Sequence, residues 1–137
     1  VSGFEWQVRV YYEDTDSGGM VYYANYLRFM ERARTEWMRA LGFEQDRLIE
    51  EQGVLFAVRS ARIEYLRTAH LNDLLSVSAA IVDRGRVSLT FCQEIRRCRD
   101  DGGPVCTGEI RIVCLDAGSL RPRAIPEFIL KEIADVD

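Results

Sequence analysis

Residues 13–19 read Glu-Asp-Thr-Asp-Ser-Gly-Gly, so the carboxylates of Glu13, Asp14 and Asp16 stand directly ahead of two glycines and a helical pattern. A carboxylate in such a place can attack an acyl carbon or direct a water at it. The unpaired N–H groups at a helix N-terminus can hold the oxyanion that results. Glycine lets the backbone approach a bound ligand closely. Acyl transfer is therefore the chemistry these residue types suit. Three other readings compete for the same residues. The acids can simply solvate a loop and cap the helix. Asp14-x-Asp16 with Gly19 imitates the opening of a calcium-binding EF-hand, but its twelfth position is Asn25 rather than a bidentate glutamate, and no helix precedes it. Ser17 has only His70, far along the chain in a different segment, as a histidine partner, and Gly-x-Ser-x-Gly is absent.

The elements that must position this loop follow from periodicity. Phe4, Trp6, Val8, Val10 and Tyr12 alternate with polar residues, which predicts a half-buried strand ending at the acidic loop. Tyr22, Tyr26, Phe29, Met30, Ala33, Trp37, Ala40 and Leu41 then recur at helical spacing and form one wide apolar stripe. Arg28, Glu31, Arg32, Glu36 and Arg39 fall on the other face, with Arg32 and Glu36 one turn apart. Gly42 is placed to cap this helix in the left-handed conformation. A short helix from Glu44 to about Gln52, closed by Gly53, comes next. Val54–Tyr65 reads as a long strand whose apolar phase changes between Val58 and Ala61, the mark of a bulge. Leu75–Ile81, Val87 onward and Val105–Leu115 are further strands, with turns at Asp83-Arg84-Gly85-Arg86 and Asp100-Asp101-Gly102-Gly103. Four strands in hairpin succession are expected. An irregular Arg121–Pro126 tail and a terminal helix from Glu127 to Ile133 complete the chain. The result is an α+β arrangement with the long helix inside the curve of an antiparallel sheet.

A chain of 137 residues suits one domain, expected to span residues 1–137, with a core that needs no metal or disulfide. A formal net charge of −4 supplies no global field for nucleic acid, so no nucleic-acid partner is expected. Lys131 is the one lysine beside seventeen arginines, which suits bidentate grip on an anionic ligand as well as plain surface solvation. No apolar run approaches the ~18 residues of a membrane span, and the N-terminus lacks the basic and apolar stretches of a signal peptide. Cys92, Cys98, Cys106 and Cys114 contain no Cys-x-x-Cys pair, and three of them sit in apolar strand-like runs. Reduced thiols in a cytoplasmic core are expected, with a Cys98–Cys106 bridge across the intervening turn as the alternative. No metal and no cofactor are expected.

The stretch VRVYYEDTDSGGMVYYANYLRFMERARTEWMRALGF resembles the opening of the 4-hydroxybenzoyl-CoA-thioesterase-type hot-dog family. It is most similar to the branch of acyl-CoA thioesterases associated with the bacterial Tol-Pal envelope system. The resemblance continues through Phe56–Arg59, Ile63-Glu64-Tyr65, Asp73 and Arg121–Pro126. It implies a hot-dog fold, in which a curved five-stranded antiparallel sheet wraps a long central helix. It implies hydrolysis of an acyl-CoA or acyl carrier protein thioester, with Asp16 as the catalytic carboxylate. The Tyr23 backbone N–H would be the oxyanion donor, and Gly19 and Tyr22 would touch substrate. Many members of that branch carry histidine at the position of Tyr23, which removes any role for an imidazole there. Leu66-Arg67-Thr68-Ala69 lacks the family's usual proline, expected to affect a loop and not the chemistry. As a nucleophile an ionised carboxylate needs no tuning, whereas an efficient general base titrates near the working pH. The family includes both versions. The resemblance also implies a homodimer or homotetramer, whose physical reason would be the free edge of the first strand. Arg59, Arg62, Arg84, Arg86, Arg121 and Arg123 are candidates for the CoA nucleotide. Two alternatives are a hot-dog dehydratase using a histidine, for which only His70 is present, and a non-catalytic module that binds acyl carrier protein in envelope lipid synthesis.

Overall fold

The computed structural model describes residues 4–100 and 102–136. The alternation at the start of the chain becomes strand β1 (Phe4–Arg9), followed by a single tight turn at Tyr12–Asp14. The apolar stripe becomes helix α1 (Asn25–Ala40), which starts three residues later than the Tyr22 periodicity suggests. Tyr22–Ala24 form a turn instead, because the Tyr22 N–H is taken by the Asp14 carbonyl at 3.0 Å. Gly42, at φ 97°, caps the far end as expected. Helix α2 (Gln45–Arg47) runs on into a wider turn, Leu48–Gln52, closed by Gly53 at φ 68°. Strands β2 (Val54–Tyr65), β3 (Leu74–Arg84), β4 (Ser88–Arg97) and β5 (Cys106–Asp116) and helix α3 (Glu127–Val136) follow. The β2 register shifts between Val58 and Ser60, where the phase change places a bulge. Asp101, within the expected β4–β5 turn, lies outside the described residues.

The five strands form one antiparallel sheet in the order β1-β3-β4-β5-β2. The last four strands are therefore not a run of hairpins. β3–β4 and β4–β5 are consecutive neighbours, but β2 pairs with β5, and residues 66–73 carry the chain from the β2 edge of the sheet across to β3, beside the opposite edge strand. The backbone of this crossover finds its partners in Val105 ahead of β5, in Val10 just past β1 and in the acidic loop. This is the hot-dog arrangement, with α1 against the concave face of the sheet on β1, β3 and β4.

Packing explains why the helix sits so close. Tyr26, Phe29, Met30, Ala33, Trp37 and Met38 are buried against Leu75, Val77 and Ala79 of β3, Leu89, Phe91 and Ile95 of β4, and Cys106 and Ile110 of β5. Gln93 interrupts the apolar row on β4 and is fully buried. Its amide donates to the Met30 and Ser78 carbonyls, each at 3.1 Å, while its oxygen accepts from Arg34 at 3.0 Å. Arg34 is thus a buried member of a helix expected to keep its arginines outside, and burial pushes its pKa down. On the solvent face Glu36 pairs with Arg39 rather than with Arg32, whose guanidinium lies over the Phe29 ring at 5.9 Å. All four cysteines are free; Cys106 and Cys114 are buried, and Cys106 faces Ile95 across the ladder, not Cys98.

Gly108, opposite Gln93, leaves the room that the Met30 side chain fills. A Cβ there would lie 2.7 Å from Met30 Sδ and 3.0 Å from Ile63 Cδ1. Gly108→Ala should cost about 1–3 kcal/mol through overpacking. The urea midpoint should fall accordingly, and an unchanged midpoint would show that Met30 can withdraw without loss.

Candidate active site

The acidic loop folds back on itself as a miniature ladder. Thr15 bridges Val21, and the Asp16 N–H donates to the Met20 carbonyl at 2.8 Å. Gly19 makes the reversal at φ 77°, where a side chain would be strained, and its N–H goes to the Asp16 carbonyl at 3.1 Å. This ladder has a third member from the crossover. Met20 bridges His70, the Val21 N–H donates to the Ala69 carbonyl at 2.9 Å, and the Leu71 N–H donates to the Gly19 carbonyl at 3.1 Å. The segment without the family proline is therefore the backbone against which the acidic loop is built. His70, distant in sequence, is exposed beside Met20.

The acids divide. Asp14 is buried, and its Oδ2 accepts the Tyr11 N–H at 2.9 Å. Its carbonyl takes both the Tyr22 N–H at 3.0 Å and the Asn25 side-chain amide at 2.9 Å. Asp14 therefore ties strand end to helix start, its carboxylate capping the Tyr12–Asp14 turn and its carbonyl holding the helix entrance, while α1 itself has no side-chain cap from the loop acids. Asp16 is exposed, and its Oδ1 accepts N–H bonds from Gly18 at 2.9 Å and Met20 at 3.3 Å. Its other oxygen, Oδ2, accepts none among the described residues. Glu13 points to solvent.

At the helix entrance the Tyr23 N–H donates to no backbone carbonyl among the described residues, which leaves one oriented donor open. The Tyr22 and Tyr23 rings lie 4.7 Å apart, and the neighbouring Tyr23 phenol raises the Tyr22 pKa. Tyr65 adds an edge-on contact to Tyr23 at 6.2 Å and a tilted one to Tyr26 at 5.7 Å. These partly exposed rings make an apolar wall beside the open donor. Gly19 contributes conformation, and the space where a Cβ would stand is empty. Among the described residues, no three His, Cys, Asp or Glu side chains converge as metal ligands. Of the candidate arginines, Arg62 faces Glu109 at 3.8 Å, and Arg123 is engaged by Asp116 and the Gly53 carbonyl.

Sequence reasoning missed the parts played by Asn25, the Tyr26 hydroxyl and the crossover backbone, and it named Asp73 within the resemblance without giving it a role. Asn72-Asp73, a turn-forming pair just ahead of a strand, was a further signal for the last two.

Replacing Asp14 should separate architecture from chemistry. Asp14→Ala strands the Tyr11 N–H and should cost about 1–2 kcal/mol in chemical unfolding, whereas Asp14→Asn keeps an acceptor and should lie near wild type. Equal losses in the two variants would contradict the capping role.

Residues 10–133 match the family model of the thioesterase-like superfamily. The chain is 43% identical over 129 residues to the acyl-CoA thioester hydrolase YbgC of Escherichia coli O157:H7, covering 94% of each protein. It is 41% identical over 128 residues to the acyl-CoA thioesterase YbgC of Haemophilus influenzae, covering 93% of this chain and 92% of that one. The crystal structure of a probable thioesterase from Bartonella henselae superposes with a TM-score of 0.85 at 30% identity, over 91% of this chain and 100% of that one. The Staphylococcus aureus protein SAV2348, solved in complex with CoA, shares the fold at a TM-score of 0.89 and 20% identity, over 98% of this chain and 83% of that one. A ladder-built acidic loop, an open donor at the helix entrance and these relatives lead to one assignment: the chain belongs to the thioesterase-like superfamily of hot-dog proteins.

Proposed function

We propose that this protein hydrolyses acyl-CoA thioesters, with Asp16 as the reacting carboxylate and the Tyr23 N–H as the oxyanion donor. The observation that carries the proposal is the division of Asp16. One carboxylate oxygen is pinned by two backbone N–H groups, the other has no hydrogen-bond partner among the described residues, and the Tyr23 N–H at the helix entrance is likewise unpartnered there. Asp16 Oδ2 attacks the thioester carbon, and the carbonyl oxygen takes up negative charge within reach of the Tyr23 N–H. Collapse expels the CoA thiolate, which picks up a proton from water, and leaves an acyl–aspartyl anhydride. Water then cleaves the anhydride to the free acid and regenerates the carboxylate. The same oxygen acting as a general base on water gives the same products in one step. Gly19 shapes the loop under the substrate, and Tyr22 lines its path.

Several features support the wider reading. Relatives at 41% and 43% identity are named as acyl-CoA thioester hydrolases. An acyl carrier protein thioester would present the same reacting group. No described helix is long and apolar enough to cross a membrane, and four unpaired cysteines suit the reducing cytoplasm. A homodimer or dimer of dimers fits a sheet whose edges, β1 and β2, both carry unpaired backbone. The exposed Tyr23, Tyr65 and Leu66 supply apolar area for a partner to cover.

Release of free thiol from a panel of acyl-CoAs tests the reading. Asp16→Asn should lose on the order of 10³-fold or more in kcat while unfolding at the wild-type urea concentration. Tyr23→Ala should retain activity to within about tenfold, since its donor is main chain and a lost donor costs about 10²–10³. Near wild-type turnover in Asp16→Asn would defeat the assignment.

A further inference from the structure

The crossover that splints the acidic loop is itself held at one point. His70, Leu71, Asn72 and Asp73 form a reverse turn in which the Asp73 N–H donates to the His70 carbonyl at 3.1 Å, with Asn72 at φ 74°. Asp73 is only 7% exposed, and its Oδ2 accepts the His70 N–H at 2.9 Å, closing the turn from the other side. Around this turn four elements meet. The end of β1 continues into it through Val10, whose N–H reaches the Asp73 carbonyl and whose carbonyl accepts the Asn72 N–H, each at 2.9 Å. Helix α1 reaches it through the Tyr26 hydroxyl, which accepts the Ala69 N–H at 3.1 Å. The end of β4 reaches it through Arg97, which donates to the Thr68 carbonyl and stands 3.9 Å from Asp73 Oδ2. The acidic loop hangs from it through Gly19, Met20 and Val21.

We infer that Asp73 is a positioning residue for Asp16, acting by fixing the 68–73 backbone on which the Gly19–Val21 arm is built. This rests on the reading of Asp16 as the reacting group. The chain of contacts is continuous. Asp73 orients the His70 peptide, His70 and its neighbours Ala69 and Leu71 set the Gly19–Val21 arm, and Met20 contributes both the carbonyl that holds the Asp16 N–H and the N–H that holds Asp16 Oδ1. Arg97 and Arg99, 3.9 and 3.7 Å from the two Asp73 oxygens, keep the carboxylate from being a lone buried charge. Catalytic groups lose rate steeply when displaced, and a shift of about 1 Å can cost 10²-fold. Asp73 does not touch substrate, so its loss should appear in kcat and not in KM.

The test compares Asp73→Asn, which keeps an acceptor for the His70 N–H, with Asp73→Ala, which does not. Asp73→Ala should lower kcat by about 10–100-fold with KM within about threefold, and Asp73→Asn should restore most of the loss. Amide hydrogen exchange supplies a readout that does not depend on activity. In Asp73→Ala the Val21 and Leu71 amides should exchange faster, while those of Phe91 and Ile95 in the core stay protected. Should Asp73→Ala not fold, Asp73→Ser, with a weaker acceptor, carries the same comparison. Wild-type kcat in Asp73→Ala, or a loss that accompanies uniformly faster exchange in the core, would overturn the inference. Faster Val21 exchange alongside an active Asp16→Asn would instead condemn Asp16 and leave the hold of Asp73 on the loop established.

Discussion

The hydrogen bond from the Val21 N–H to the Ala69 carbonyl, at 2.9 Å, joins two segments that the sequence keeps nearly fifty residues apart. Without it the acidic loop would keep its internal hydrogen bonds but lose a tie to the crossover that sets its place beside the helix entrance. With it, Thr15–Asp16, Met20–Val21 and Ala69–Leu71 become three short rungs, and the direction of the Asp16 carboxylate is set by backbone geometry. Hydrogen bonds of this kind contribute only about 1 kcal/mol each to net stability. Their effect here is orientation, which is the larger contribution in a reaction that depends on aiming a charge at a carbon.

The rest of the fold can be understood as what makes that meeting possible. β2 pairs with β5, so the chain must cross to reach β3, and the crossover passes the end of β1 and the entrance of α1. The helix is tied to the sheet by Gln93, which bonds the Met30 carbonyl from the sheet side, and a glycine in β5 makes room for the Met30 side chain. The helix entrance, with its open Tyr23 donor, is thereby fixed relative to the loop that carries Asp16. Two acids that look alike in the sequence end with opposite fates. The Asp14 carboxylate is spent on the Tyr11 N–H, while Asp16 keeps one oxygen without a hydrogen-bond partner among the described residues.

Much of this was legible from residue patterns because it is local. Alternation in Leu75–Ile81, the phase change after Val58, and glycines at 42 and 53 each report on a few neighbours, and the structure places them accordingly. What escaped was non-local. The pairing of β2 with β5 depends on which edge offers the better partner, and no run of residues within β2 records that choice. Arg34 and Arg32 are alike in type and two positions apart, yet one is buried on Gln93 and the other lies over Phe29 at the surface, a difference set by the facing strand. His70 was too distant in the chain for its neighbour Met20 to be guessed. The acidic loop and its reversal at Gly19 were legible as a unit, because carboxylates, glycines and helix entrance are consecutive.

The central claim is a matter of position: one oxygen of Asp16 and one main-chain N–H converge on the same acyl group. A crystal structure with a non-hydrolysable acyl-CoA analogue, its thioester sulfur replaced by methylene, measures that directly. The account predicts the analogue's carbonyl oxygen accepting the Tyr23 N–H, with its carbon about 3–3.5 Å from Asp16 Oδ2 or one water away. A well-ordered analogue whose carbonyl carbon lies beyond the reach of both residue 16 and a water bound to it would contradict the account.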